Sequence, residues 1–220
     1  MRTNSSKILI AVSVILILTV FSAFPVFAQG VGQYIILKPG IYSPQDDLED
    51  FDTGFNGELA FGAQFNKYLA VEMGVGYFHT GLDESAAGNI SGINYAVEGE
   101  FDIDVLPVTL SLKGILPVGK WEFYGFGGIG GYFVWGQLDV TAAADGIAGS
   151  VSLEDNDVIF GGHLGLGVDY NITPAIFIGA EGKYLWTSEA KLEDTVSGIP
   201  VGAKFNLDGI IATAVLGFRF

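Results

Sequence analysis

Gly209-Ile-Ile-Ala-Thr-Ala-Val-Leu-Gly-Phe-Arg-Phe220 decides the fold, because its two faces separate by residue type at a period of two. Ile210, Ala212, Ala214, Leu216, Phe218 and Phe220 form one face, which is wholly apolar. Gly209, Ile211, Thr213, Val215, Gly217 and Arg219 form the other, which is smaller and carries the polar groups. That is the partition of a strand with lipid on one side and a crowded barrel lumen on the other.

The same alternation recurs upstream and predicts strands over 33–42, 53–65, 69–79, 101–116, 121–140, 157–170, 175–186 and 205–220. A tilted membrane strand needs about 9–11 residues, and each segment supplies them. The phase drifts near Asp104–Pro107 and Phe126–Gly131, where Pro or Gly is read as marking a bulge. Connections alternate between short (66–68, 117–120, 171–174) and long (43–52, 80–100, 141–156, 187–204). Tight periplasmic turns and longer external loops have this asymmetry. The fold class that follows is all-β: an eight-stranded antiparallel up-and-down transmembrane β-barrel.

A charge facing lipid near the midplane costs about 2–4 kcal/mol for Lys or Arg, so the charged parity of each strand is assigned to the lumen. It contains Glu58, Glu72, Thr109, Ser111, Lys113, His163, Asp169, Glu181, Lys183 and Arg219. Of these, Glu58, Glu72, Lys113, His163, Glu181, Lys183 and Arg219 are the candidate lumen polar network. Tyr34, Tyr42, Tyr68, Tyr77, Trp121, Tyr170, Tyr184 and Trp186 fall near strand ends and are expected in the interfacial aromatic girdles.

Composition supports strands over helices. Only 16% of residues are charged, and all 32 glycines lie after residue 28, where each would weaken a helix by about 1 kcal/mol. Residues 1–28 read as an export signal: Arg2 and Lys7 precede an apolar run from Ile8 to Phe24, and Pro25-Val-Phe-Ala28 offers a cleavage site before Gln29. The barrel domain is then 29–220. Cysteine is absent, which excludes thiolate ligands and cysteine nucleophiles. The net charge of −15 opposes nucleic-acid binding, which depends on neutralising phosphates with Lys and Arg.

Two motifs resemble chemistry without its context. Gly125-Phe-Gly127-Gly128-Ile-Gly130 matches a dinucleotide fingerprint, but strand-like Tyr132-Phe-Val-Trp135 follows where a helix is required, so no cofactor is expected. His79 and His163, the only histidines, lack His or Cys neighbours at metal-ligand spacing. A catalytic dyad with Ser85 or a loop acid would have to assemble across strands. Asp46-Asp-Leu-Glu-Asp-Phe-Asp52 offers oxygen ligands for weak divalent-cation binding but lacks the spaced loop of a specific calcium site, and a solvated acidic loop is the default reading.

The ending Val215-Leu-Gly-Phe-Arg-Phe220 resembles the C-terminal signature of outer-membrane β-barrel proteins. That resemblance implies that Phe218 and Phe220 are read by the barrel-assembly machinery. Leu106-Pro-Val-Thr-Leu-Ser-Leu112, with Trp121-Glu-Phe-Tyr-Gly-Phe-Gly-Gly-Ile-Gly130, is similar to the middle hairpin of the small family that includes outer membrane protein W and the opacity-type barrels. Thr173-Pro-Ala-Ile-Phe-Ile-Gly-Ala-Glu-Gly-Lys-Tyr184 is similar to its penultimate strand. The function implied is non-enzymatic: a structural and surface-interaction protein, or a narrow passage for small, including hydrophobic, solutes, embedded in outer-membrane lipid. The alternatives are an outer-membrane lipid-modifying enzyme and a soluble lipocalin-like barrel; the latter would place apolar residues inside and polar ones outside.

Overall fold

The computed structural model describes residues 32–90, 93–144, 147–196 and 199–220; the segment read as an export signal lies outside them. Its strands are β1 (Gly32–Pro44), β2 (Gly54–Asn66), β3 (Leu69–Ile90), β4 (Ile93–Val118), β5 (Trp121–Ala144), β6 (Ile147–Asn171), β7 (Ile176–Thr187), β8 (Ala190–Val196), β9 (Ile199–Phe205) and β10 (Gly209–Arg219). Eight close a barrel in the order β1-β10-β7-β6-β5-β4-β3-β2, all neighbours antiparallel, and β8-β9 form a separate hairpin.

Closure depends on small residues where strands crowd. At Gly40 a Cβ would fall 2.1 Å from the Ala212 carbonyl oxygen, so a side chain there would push β1 off β10. Gly119, at φ +65, makes the short turn between β4 and β5.

The alternation read from the last strand is the one observed. On β10 the odd residues from Gly209 to Gly217 are buried and the even residues are exposed. Leu164, Leu166, Ile210 and Leu216 are exposed outward, which excludes the lipocalin-like arrangement. Trp121 packs beside Tyr170 at the short-turn end (ring centroids 4.8 Å apart) and Tyr184 stacks beside Trp186 at the other (6.4 Å), bracketing the apolar band. Tyr34 and Tyr42 are not in these girdles. They are 4% and 0% exposed inside the barrel, because their parity is that of the inward-facing Lys38.

The structure corrects three further expectations. Register through β4–β5 and β5–β6 is continuous, so there is no bulge at Asp104–Pro107 or Phe126–Gly131; the shift lies between Gln64 and Asn66 on β2. The connections at 80–100 and 141–156 are largely strand, since β3 to β6 run 22–26 residues where about 9–11 cross the membrane. Their outer halves form a four-stranded sheet standing beyond the lipid. The eighth barrel strand begins at Gly209, with β9 occupying 199–205.

Candidate functional site

The lumen is filled from end to end by three kinds of side chain. At the short-turn end Arg219 Nη2 lies 2.7 Å from Glu122, its Nη1 donates to Asn171 Oδ1, and its guanidinium sits 4.3 Å from the Phe177 ring centroid. Arg219 therefore closes the bottom of the barrel instead of joining the charges above it.

The middle is one ion-pair network. Lys38 Nζ lies 3.0 Å from Glu72, 3.1 Å from Glu181 and 3.4 Å from Glu58. Lys113 Nζ lies 3.0 Å from Glu72 and 3.7 Å from Asp169, and Lys183 Nζ lies 2.6 Å from Glu58. Tyr34 donates to Glu72 at 3.0 Å, and Tyr124 donates to Glu181 at 3.3 Å. Lys113 also sits 3.5 Å from the Tyr124 ring centroid, a cation–π contact between two buried side chains. Glu181 and Lys183 share a face but not a bond; each reaches across to another strand.

Lys38 is the hub that the sequence reading lacks. Its signal is a lone base at the inward parity of Tyr34, Ile36, Gly40 and Tyr42. Glu122, the partner of Arg219, is a second missed residue, and it follows from the same parity on β5.

His163 stands apart from the network. Its Nε2 is 2.7 Å from Ser111 Oγ, the one Ser–His pairing across strands among the described hydrogen bonds. Its Nδ1 is buried with no hydrogen-bond partner among the described residues. The geometry gives a hydrogen bond inside the lumen between β4 and β6. His79 lies elsewhere, on the outward face, 3.0 Å from Asp104 and 3.5 Å from Asp102.

Above the ions the lumen is apolar, against the expectation of a polar interior. Phe78, Ile103, Val105, Val134, Leu185 and Ile211 point inward, with Tyr42 packed 4.4 Å from Phe78. The connections fold over this plug: Leu48 from the β1–β2 segment and Leu207 before β10 are buried in it, and Tyr42 donates to the Leu207 carbonyl at 3.1 Å. Asp47, in the acidic loop, accepts from the Asn206 backbone at 3.1 Å, which ties the two connections together.

Outside the membrane the same strands present acids on their outward face. Asp83, Glu100 and Asp139 are direct neighbours on β3, β4 and β5, with Asp102 and Asp104 further down β4. Asp102 and then Asp83 push the Glu100 carboxyl above its ordinary value, whereas hydrogen bonds from Ser152 and Gln137 hold Asp139 below its own.

Comparison with solved structures finds outer membrane proteins, and one of them, OprG, shares the fold at a TM-score above 0.5. OprG from Pseudomonas aeruginosa matches over 88% of this chain and 98% of its own at 18% identity, with a TM-score of 0.59. Neisserial surface protein A matches over 87% of this chain and 100% of its own at 13% identity (TM-score 0.49), and a major outer membrane protein from Thermus thermophilus over the same shares at 14% identity (TM-score 0.49). No curated protein matches the chain. A family model described as the outer membrane protein beta-barrel domain matches residues 13–205, and the chain, an eight-stranded barrel of the bacterial outer membrane, belongs to that family.

Proposed function

We propose that this protein is a non-enzymatic, closed-lumen barrel whose role is structural and surface-interactive, with the acidic four-stranded sheet as its exposed working surface. The observation that carries the reading is the filled lumen. A solute would have to part the Lys38–Glu58–Glu72–Glu181 network and then the Phe78–Val105–Val134 plug, and the first step alone breaks contacts of 3.0–3.4 Å between buried charges. Such a core serves as a rigid pillar better than as a narrow passage. On this reading the barrel-assembly machinery engages the terminal strand through Phe218 and Phe220, and divalent cations screen the external acids weakly. Single-channel recording of the purified protein in planar bilayers tests it: no discrete conductance steps are expected, and reproducible ohmic steps from the wild type would establish a passage instead.

A further inference from the structure

The lipid-facing surface carries a groove of about 870 Å³ that runs from Leu69, at the short-turn end of β3, to Tyr184 and Ile210. Its floor is one row of inter-strand neighbours, Leu69, Gly114, Gly125, Leu166 and Gly182, in which three of five positions have no side chain. These glycines are not demanded by packing within the barrel. A Cβ at Gly114 would meet only the Gly125 oxygen, at 3.8 Å, and one at Gly182 would meet nothing within 4 Å. Neither has the positive φ that would require glycine. They leave open a channel that no side chain of the described residues fills at Gly114 or Gly182 and that lies on the lipid-facing side of the barrel.

The length fits a hydrocarbon chain. Five strands make four steps of about 4.8 Å, about 19 Å in all, laid obliquely across a leaflet roughly 15 Å deep. The groove also has a charged entrance. Lys67 and Tyr68 immediately precede Leu69, and Lys67 Nζ is held 4.8 Å over the Tyr68 ring. The Tyr68 carbonyl accepts from Ile115 N at 2.8 Å, which pins this turn against β4 beside Gly114. In the neighbouring short turn Lys120 Nζ sits 5.9 Å from the Tyr170 centroid. No acid occurs at 66–68 or 117–120, and Glu122 beyond them is held by Arg219.

We propose that this groove binds one anionic phospholipid of the periplasmic leaflet, with an acyl chain along the glycine floor and the head-group phosphate at Lys67. Native mass spectrometry of the folded full-length barrel in mixed micelles of equal phosphatidylglycerol and phosphatidylcholine reads it directly. The wild type should retain phosphatidylglycerol several-fold over phosphatidylcholine. Lys67→Glu should bring the ratio to one or below, because the net negative charge of phosphatidylglycerol then meets a carboxylate in place of a cation, whereas zwitterionic phosphatidylcholine is less affected. Gly114→Leu and Gly182→Leu, whose side chains enter open lipid-facing space, should each lower retention of both lipids while heat-modifiable migration stays that of a folded barrel. Equal retention of the two lipids by the wild type, or a preference untouched by Lys67→Glu, overturns the proposal. Loss of preference in Lys67→Glu with unchanged retention in both leucine variants overturns the groove and leaves only a rim contact. Should Gly114→Leu fail to fold, Gly182→Leu decides alone.

Discussion

Lys38 Nζ stands 3.1 Å from Glu181 although 143 residues separate them, a contact that exists only because β10 closes the ring between β1 and β7. The same ammonium reaches Glu72 and Glu58 on the other side. Breaking a buried pair costs about 3–5 kcal/mol, mostly because a charge is left uncompensated. Lys38→Met takes a cation from three carboxylates; Glu72 keeps Lys113 and Glu58 keeps Lys183, but Glu181 loses the lysine that pairs with it and is left with the Tyr124 hydroxyl, so the loss should fall at the upper end of that range. Lys183→Met should cost less, because Glu58 retains Lys38 at 3.4 Å. Adding Glu181→Gln to Lys38→Met should recover part of the loss. Denaturant unfolding in detergent gives the ranking, and a larger loss for Lys183→Met than for Lys38→Met would show that Lys38 is not the hub.

What the sequence discloses here is parity, and what it hides is partnership. Glu58, Glu72, Lys113, Glu181 and Lys183 stand out because a charge among alternating apolar residues has one tolerable side. Which carboxylate meets which ammonium depends on barrel stagger, which no single strand encodes. Lys38 escapes because its flanking inward residues, Tyr34, Ile36 and Tyr42, look lipid-facing by type. The apolar plug escapes for the same reason: Phe78, Ile103 and Val105 sit inward where the lumen meets folded loops rather than water. The outer halves of β3 to β6 read as loops because Gly, Ala and acids dominate them. Their strand character comes from continuous hairpin pairing, which composition does not display.

Depth should separate two lysine substitutions on the lipid face. Ile178 pairs with Tyr170 at the short-turn girdle, whereas Leu166 is four residues up β6 from Tyr170, 73% exposed and two residues short of Leu164, the partner of Tyr184 in the opposite girdle. A lysine at 178 can extend its ammonium to the interface, at a cost of about 0–1 kcal/mol; one at 166 faces the midplane, at about 2–4 kcal/mol. Leu166→Lys should therefore reduce the inserted, heat-modifiable fraction in bilayers far more than Ile178→Lys. Equal fractions for the two would misplace the membrane on the barrel.

The terminal residue closes the seam. Phe220 N donates to the Gln33 carbonyl at 3.0 Å, and its ring lies 6.4 Å from Phe61 and 6.3 Å from Phe218. Phe220→Ala keeps the backbone donor and loses the ring contacts; deletion loses both. Yields of folded barrel in the outer membrane should fall in the order wild type, Phe220→Ala, deletion. Asp47→Ala, which removes one acceptor in an external connection, should stay near wild type. A yield for Asp47→Ala as low as for the deletion would refute the ordering.

Acid should tighten the external sheet, and the sign follows from Glu100. Glu100 pairs directly with Asp83 on one side and Asp139 on the other, and like charges in register oppose strand pairing. Asp102 and Asp83 raise its carboxyl above the ordinary 4.5, so the folded sheet binds that proton more tightly than the unfolded segment does. The penalty is fully present at neutral pH, shrinks as pH falls through the raised value, and is gone below 4.5. Asp139 acts in the opposite direction, but its depressed carboxyl gives up its contribution only at lower pH, outside that window. Between about pH 7 and about 4.5, backbone amides around Gly81–Asp83, Gly99–Asp102 and Gln137–Asp139 should gain hydrogen-exchange protection after correction for intrinsic rates. Glu100→Gln should show much of that protection already at neutral pH, and high salt should mimic it by screening the exposed acids. If Glu100→Gln retained the full pH dependence of the wild type, the repulsion would have to reside among the other acids of the sheet, and Glu100 would not be the group that acid relieves.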